Sequence, residues 1–200
     1  MSQGKQAKIL MPKQEAAILR HLETTRYPRR DAVMFLLSIK AGLRAKEIAE
    51  LRWAMVTDAD GQVSEAIELD DHASKGKTGG RTIPLHRRLR DALQALHEAR
   101  YVATDPRQPT YPVIFSERGR GLSASTVQLW FDRLYDTLGL VGCSSHSGRR
   151  TFITRAAKKV AEVGGSLRDV QQLAGHASLS MTQRYIEGDT DAKRKLVQLI

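Results

Sequence analysis

The region between residues 66 and 85 limits the fold most strongly, because it interrupts a chain whose other segments favour helix. Residues 66–69 and 81–85 alternate apolar and polar side chains as β-strands do. Between them, Ser74-Lys75-Gly76-Lys77-Thr78-Gly79-Gly80 is a flexible basic connection. The pattern predicts a small antiparallel sheet with a lysine-bearing hairpin. Pro84 should mark an edge or a strand end, since proline cannot donate a ladder hydrogen bond.

Helix-forming segments lie on both sides of this hairpin. Apolar spacing and capping residues predict helices at residues 12–22, 31–41, 45–51, 87–101, 123–138, 146–160, 166–173 and 191–200, with a short helix carrying Tyr185. Gly42 is placed to end the second of them. The sequence therefore predicts an α+β fold, mainly α-helical, with a small antiparallel sheet inserted near the N-terminal third. A flexible arm is expected at residues 1–11.

The chain is strongly basic. Its 200 residues include 32 Lys and Arg against 22 Asp and Glu, a formal net charge of +10, which favours polyanions and above all nucleic acid as partners. The single cysteine, Cys143, excludes an internal disulfide and fits a reducing cytoplasm. No stretch approaches the ~18–20 consecutive apolar residues of a membrane span. We therefore expect no membrane association.

Side chains suited to phosphodiester chemistry occur in order along the chain. Breaking a phosphodiester with a protein nucleophile needs an oxygen nucleophile, cationic donors for the transition state, and groups that move protons. Arginine suits the second task, because its planar fork gives two directed hydrogen bonds to phosphate oxygens. The candidates are Arg44, Lys75 or Lys77, His146, Arg149, His176 and Tyr185. Each has an ordinary structural interpretation when taken alone, and it is their order and spacing that favour a site.

The sequence offers little to competing chemistries. No cluster of Asp, Glu and His has metal-ligand spacing, and no glycine-rich loop has the pattern that cradles nucleotide phosphates. A metal-dependent nuclease and an ATP-driven enzyme are both disfavoured.

The sequence resembles the catalytic domain of the tyrosine recombinases, the phage-integrase family. The resemblance rests on four stretches: Gly-Leu-Arg-Ala-Lys-Glu at 42–47, the lysine hairpin before Arg-Thr-Ile-Pro-Leu at 81–85, Ser-His-Ser-Gly-Arg-Arg-Thr-Phe at 145–152, and Leu-Ala-Gly-His at 173–176 with Thr-Gln-Arg-Tyr at 182–185. It covers roughly residues 12–190. The last two of these stretches, at 145–152 and at 173–176 with 182–185, are the more specific.

The resemblance implies a role for each candidate. Tyr185 attacks the scissile phosphate, forms a 3′-phosphotyrosyl link and releases a 5′-hydroxyl. Arg44 and Arg149 clamp the non-bridging oxygens, His176 hydrogen-bonds the phosphate, and His146 assists proton transfer. Because bond energy is retained in the covalent link, the resemblance implies no metal, ATP or other cofactor.

Two further roles follow from the same resemblance. Glu47 is expected to orient Arg44, and a hairpin lysine to protonate the leaving oxygen. Lys75 lies nine residues before Pro84 and Lys77 seven, whereas the usual spacing falls between. Lys75 is favoured because it stands at the expected end of the strand, and Lys77 remains the alternative.

The resemblance also divides the chain and implies partners. Residues 12–189 form the catalytic domain, and residues 190–200 form a helical tail that is either exchanged between protomers or packed on its own domain. The expected partners are double-stranded DNA, further copies of the chain as a tetramer on DNA, and accessory DNA-bending proteins, in the cytoplasm at the nucleoid. Most family members add an N-terminal DNA-clamping domain. This sequence resembles the short single-domain members, for which fewer phosphate contacts should weaken solitary DNA binding.

The leading functional hypothesis is a site-specific DNA recombinase, either an integrase or an invertase. One alternative keeps the chemistry: a type IB topoisomerase-like nicking-closing enzyme, against which the box around His176 argues. Another belongs to a different class: a DNA-binding regulatory protein that keeps the fold without strand exchange. The complete set of candidate residues argues against the latter.

Overall fold

A computed structural model of the chain describes residues 7–70, 80–99, 108–185 and 198. The chain divides into two compact units, Met1–Phe152 and Ile153–Ile200. Within the described ranges, no helix combines the length and apolar character needed to cross a membrane.

The first unit is mainly helical and contains one small sheet, which confirms the predicted fold class. Its elements are α1 (Pro12–Leu22), α2 (Pro28–Lys40), α3 (Ala45–Glu50), β1 (Ala66–Leu69), β2 (Arg81–Pro84), α4 (Arg87–Glu98), α5 (Ala124–Thr137) and the start of α6 (Ser147–Lys159), with 3₁₀ turns at Trp53–Met55 and Gln108–Thr110. Helix α2 begins three residues before the predicted start, because Pro28 occupies the first helical turn, where its missing N–H leaves no hydrogen bond unmade.

Helix α2 lies in the core of this unit. It packs against α1, α3 and α4, and its residues from Val33 to Ile39 are all buried. Fully burying an aliphatic or aromatic side chain contributes roughly 1.5–3 kcal/mol, so this apolar run accounts for the central position of α2. The helix ends at Lys40, two residues before Gly42, whose φ of 66° is a left-handed conformation that glycine adopts without a Cβ penalty.

The sheet consists of β1 and β2, paired antiparallel as predicted. Ala66 lies opposite Pro84 and Leu69 opposite Arg81, and Pro84 ends β2. Gly80 precedes β2 at a close approach, because a Cβ there would stand 3.2 Å from the carbonyl carbon of Leu69 and closer still to its oxygen. The connecting residues 71–79, with both candidate lysines, lie outside the described residues.

The segment before α1 is packed against the beginning of α6. Leu10 is 1% exposed, and its backbone N–H donates to Thr151 Oγ1 at 2.8 Å. Arg150 Nη1 donates to the carbonyl oxygen of Ala7 at 3.0 Å. Residues 7–10 of the predicted arm are thus held by hydrogen bonds and burial, whereas residues 1–6 lie outside the described residues.

The second unit contains the end of α6, a 3₁₀ turn at Val160–Val163, α7 (Leu167–Ala174) and α8 (Leu179–Gln183), and α7 packs against α8. Ser166 caps α7 as predicted: Asp169 Oδ2 accepts from the Ser166 N–H at 2.7 Å and from its hydroxyl at 2.9 Å. Tyr185 was predicted on a short helix before the C-terminal one, but it lies two residues beyond the end of α8 in a turn. The predicted C-terminal helix falls almost wholly outside the described residues.

Candidate active site

Arg44 is held at the start of α3 by a carboxylate one turn along the helix. Glu47 Oε2 accepts from the backbone N–H of Arg44 at 2.8 Å, and Glu47 Oε1 accepts from Arg44 Nη1 at 2.7 Å. The Glu47 side chain is only 1% exposed, whereas the Arg44 side chain is 27% exposed. One buried acid therefore fixes both the backbone and the guanidinium of Arg44, which keeps access to solvent.

A second arginine approaches the same carboxylate from the sheet. Arg81 donates from Nη1 to Glu47 Oε1 and from Nη2 to Glu47 Oε2, both at 2.9 Å. Burial alone would raise the pKa of Glu47, but the hydrogen bonds and positive charges of Arg81 and Arg44 outweigh it and hold the pKa below its ordinary value. Glu47 is therefore a permanent negative charge between two guanidinium groups at neutral pH.

Arg149 lies in the first turns of α6, close to the loop that carries Arg44. It is 6% exposed, and its Nη1 donates to the carbonyl oxygen of Gly42 at 2.6 Å. Two close approaches hold α6 against this loop and against α2. The Phe152 ring covers the α-carbon of Gly42, and a Cβ on Gly148 would stand 2.9 Å from the Cβ of Ser38 and closer still to its hydroxyl.

His146 immediately precedes α6 and is exposed. Its backbone carbonyl accepts the first hydrogen bond of the helix from Arg150 N–H at 2.9 Å, and its own N–H donates to Ser144 Oγ at 3.3 Å. The sequence placed His146 and Arg149 on one helix face. In the structure they lie one turn apart, His146 exposed and Arg149 buried.

The second unit contains His176 and Tyr185. Gly175 ends α7 with a φ of 59°, and the chain then returns so that Gln171 Nε2 donates to the His176 carbonyl oxygen at 3.0 Å. His176 is 7% exposed, and its Nδ1 hydrogen-bonds Thr182 Oγ1 at 2.9 Å. The half-buried Tyr185 ring stacks on the imidazole, with ring centroids 5.6 Å apart and planes inclined by 22°.

The structure thus gathers the candidates in two groups, one in each compact unit. Arg44, Glu47 and Arg149 come together in the first unit beside the start of α6, with His146 one turn away, and His176 and Tyr185 come together in the second. Lys75 and Lys77 lie outside the described residues. In the described part of the chain, no three His, Cys, Asp or Glu side chains form a group that could hold a metal ion.

Sequence reasoning missed two residues of this arrangement. It placed Arg81 and Thr182 in stretches that carry the resemblance and assigned neither a contact, yet Arg81 binds Glu47 and Thr182 binds His176. A four-residue strand of mixed polarity contains no signal for the partner of its arginine. The contact between Glu47 and Arg81 joins residues 34 apart in the chain.

Each group contains side chains of a kind that phosphoryl transfer uses. In the first unit, Arg44 and Arg149 are directed, permanently charged donors. In the second unit, Tyr185 is a candidate oxygen nucleophile stacked on a buried histidine. The chain belongs to the phage integrase family, which matches residues 8–191. The resemblance seen in the sequence is confirmed.

The curated relatives of this chain are named as tyrosine recombinases. The tyrosine recombinase XerC of Nitrobacter winogradskyi is 32% identical over 165 residues, covering 81% of this chain and 47% of the relative. The tyrosine recombinase XerA of Pyrococcus horikoshii is 30% identical over 175 residues, covering 84% of this chain and 54% of the relative. The chain therefore spans about half the length of the curated relatives that it matches.

Solved structures share the fold. The Tn1549 transposon integrase in complex with a circular intermediate DNA aligns with a TM-score of 0.73 at 20% identity, covering 100% of this chain and 68% of that one. A crystal structure of XerA recombinase aligns with a TM-score of 0.69 at 24% identity, covering 96% of this chain and 65% of that one. At this level of identity the likeness shows the fold alone.

Proposed function

We propose that the chain is a site-specific DNA recombinase, an integrase or an invertase, which cleaves and rejoins double-stranded DNA through a 3′-phosphotyrosyl link. The observation that supports this most directly is the pairing of Tyr185 with the buried His176 in a chain of the phage integrase family. The half-buried phenol lies next to a histidine whose own position is fixed by Thr182.

The proposed cleavage step forms one bond and breaks another at the same phosphorus. The Tyr185 oxygen attacks the phosphorus as its phenol proton leaves, and the bond between phosphorus and the 5′-oxygen breaks. The departing oxygen takes up a proton and becomes a 5′-hydroxyl. The number of phosphoester bonds stays constant, so the link can be reversed by attack of a 5′-hydroxyl from a second duplex without a further energy source.

The arginines lower the barrier of this step. The transition state carries additional negative charge on the non-bridging oxygens, and preorganised donors aimed at that charge are worth far more in a shielded site than in water. Arg44 and Arg149 are the proposed clamp. Glu47 holds the Arg44 guanidinium at 2.7 Å, so less reorganisation is needed when the phosphate arrives.

The proton transfers are assigned to the remaining candidates. His146 is exposed one turn before Arg149, where it can exchange protons with solvent or substrate. Lys75, with Lys77 as the alternative, is the proposed acid for the leaving 5′-oxygen, and His176 is the proposed donor to the phosphate.

The proposal has consequences for assembly. Exchange between two duplexes involves four strands, and a protomer with one Tyr185 cleaves one strand, so we propose a tetramer on DNA linked through residues 190–200. Accessory DNA-bending proteins and a location at the nucleoid belong to the same proposal. The XerC and XerA relatives are named recombinases, and the solved Tn1549 integrase is a complex with DNA, which supports DNA as the substrate.

The proposal is tested by trapping the covalent link. Fragments of the genome that encodes the protein are nicked at random and incubated with the chain, so that loss of a short strand past a nick leaves the enzyme attached to DNA. The expected result is an adduct that survives detergent and whose sequenced fragments share one site. Tyr185→Phe is expected to bind the same fragments without forming the adduct.

Two outcomes separate the proposal from its alternatives. Fragments bound at a shared site without any adduct from the wild-type chain would overturn the recombinase and favour a regulatory protein. An adduct together with relaxation of supercoiled DNA, but without resolution of a four-way junction built from the recovered site, would favour a nicking-closing enzyme. Resolution of the junction supports the recombinase.

A further inference from the structure

We propose that Arg81 is a positioning residue for the phosphate clamp, acting on Arg44 through the shared carboxylate of Glu47. The inference rests on the proposed function, because it concerns the same phosphate. Arg81 lies at the start of β2, and the sequence resemblance assigns it no role in the candidate site. Its contribution is to fix the orientation of the Glu47 carboxylate, which itself makes no contact with DNA in this proposal.

The hydrogen bonds to Glu47 fix the orientation of its carboxylate. Arg81 makes a bidentate contact, in which one guanidinium nitrogen donates to each Glu47 oxygen at 2.9 Å. Arg44 uses both oxygens too, with its backbone N–H on Oε2 at 2.8 Å and Nη1 on Oε1 at 2.7 Å. Each Glu47 oxygen therefore accepts one hydrogen bond from each arginine. Without Arg81, only Arg44 itself would define the orientation of the carboxylate among these contacts.

The burial pattern separates the roles of the two arginines. The Arg81 side chain is 11% exposed and that of Glu47 is 1% exposed, whereas that of Arg44 is 27% exposed. Arg81 is thus the more buried partner of the carboxylate, and Arg44 is the partner that solvent reaches more easily. This is the arrangement expected when one arginine supports the acid and the other meets an incoming phosphate.

Charge supports the same assignment. A single buried carboxylate beside one arginine would be neutralised by it, which would reduce the positive potential that the clamp offers to a phosphate. With Arg81 present, the negative charge of Glu47 is shared between two positive charges, so Glu47 neutralises Arg44 less completely. Arg81 therefore both orients Glu47 and offsets its charge.

Arg81 is itself held by the sheet. Arg81 pairs with Leu69 of β1, and the preceding residue, Gly80, lies so close to the Leu69 carbonyl that a Cβ would not fit. Its Nε is buried and has no hydrogen-bond partner among the residues that the structure describes. The position of the Arg81 guanidinium is thus set by the backbone of β2 rather than by further side-chain hydrogen bonds.

The test is a double-mutant cycle on the rate of adduct formation, measured in single turnover with the duplex recovered from the trapping experiment. Arg81→Lys keeps the charge but replaces a rigid fork by a point donor that cannot contact both oxygens in the same way. We expect a loss of ~10- to 100-fold, the scale of a clamp group misplaced by about 1 Å. In an Arg44→Lys background, the same change should cost little more, because its target is already altered.

Two further variants complete the design. Arg90→Lys is the matched control, since Arg90 pairs with Glu65 at 2.5 Å in an exposed ion pair, and we expect wild-type rates. Arg81→Met keeps an apolar stem of similar length and removes the charge, and it should show the same dependence on Arg44. Urea midpoints of all variants confirm that the folded protein is being compared.

The outcomes are distinct. Arg81 variants that form adduct at the wild-type rate would overturn the inference and leave the proposed function standing. Losses at Arg81 and Arg44 that multiply in the double variant would do the same, because they show that the two residues act independently. Absence of any adduct from the wild-type chain would overturn both. A loss at Arg81 that disappears in the Arg44 background supports the inference.

Discussion

Substituting alanine for Gly42 tests whether the loop before Arg44 is fixed by its contact with α6. Gly42 has a φ of 66°, and a Cβ there would stand 3.0 Å from one carbon of the Phe152 ring and closer still to the next. Gly42→Ala therefore adds two costs, a strained backbone and an overlap with an aromatic ring. The Gly42 carbonyl also accepts the hydrogen bond from Arg149, so movement here disturbs the proposed clamp.

The chain contains a matched control for the first cost. Gly139 has a φ of 64°, and a Cβ there would meet nothing within 4 Å. Gly139→Ala should therefore cost only the left-handed conformation, roughly 1–2 kcal/mol. Gly42→Ala adds an overpacking cost of about 1–3 kcal/mol. The expected loss in the free energy of unfolding is thus about 2–5 kcal/mol for Gly42→Ala.

Urea unfolding of both variants measures the difference, from the shift in midpoint at constant slope. Gly42→Ala should be the less stable of the two and should also form adduct more slowly, because Arg149 loses its anchor on the loop. Equal destabilisation by the two substitutions would refute the reasoning, since it would show that the Phe152 contact does not constrain residue 42.

Three other predictions concern stability and DNA binding. Because the pKa of Glu47 lies below its ordinary value of 4.5, its stabilising effect is complete above that pH and is lost as the pH falls through the lower folded value. Glu47→Gln should lower the free energy of unfolding by about 3 kcal/mol or more at neutral pH. This difference from wild type should narrow below about pH 4.5 in urea titrations, and a difference independent of pH would contradict the assignment. Leu10→Ala should cost about 2–5 kcal/mol of unfolding free energy, whereas Met11→Ala, at a neighbouring residue that is 62% exposed, should change it little; equal effects would argue against the packing of this segment. Affinity for duplex DNA, measured by fluorescence anisotropy, should fall steeply as salt rises, because a chain of net charge +10 releases counterions on binding, and an unchanged affinity would contradict an electrostatic surface.

The elements of the fold were predictable wherever a local pattern determines the structure. The apolar run of α2, the alternation of β1 and β2 and the serine before α7 each specify an element through neighbours in sequence. The structure differs where a local pattern is ambiguous. Pro28 serves as a helix start rather than a break, and α8 ends at Gln183, two residues short of Tyr185.

The site was predictable as a set of boxes but not as a set of contacts. The spacing of Arg44 and Glu47 indicates a pair within one helical turn, yet nothing local shows that Glu47 is buried or that Arg81 shares it. Those facts depend on how β2, which carries Arg81, is placed relative to α3, which carries Glu47, and that placement is set by segments distant in sequence. The assignment of Lys75 as the catalytic lysine, with Lys77 as the alternative, stays a prediction. The two lysines are two residues apart, and the usual spacing to the proline falls between them.

The most direct test of the central claim is to identify the residue that carries the DNA. The trapped adduct is digested with nuclease and trypsin, and the nucleotide-bearing peptide is sequenced by mass spectrometry. Cleavage after Arg184 and Lys193 would yield residues 185–193, with Tyr185 as their first residue and as their one tyrosine. We predict a nucleotide on Tyr185 in this peptide, or in a longer one left uncut at Arg184. A nucleotide on any other residue would contradict the account.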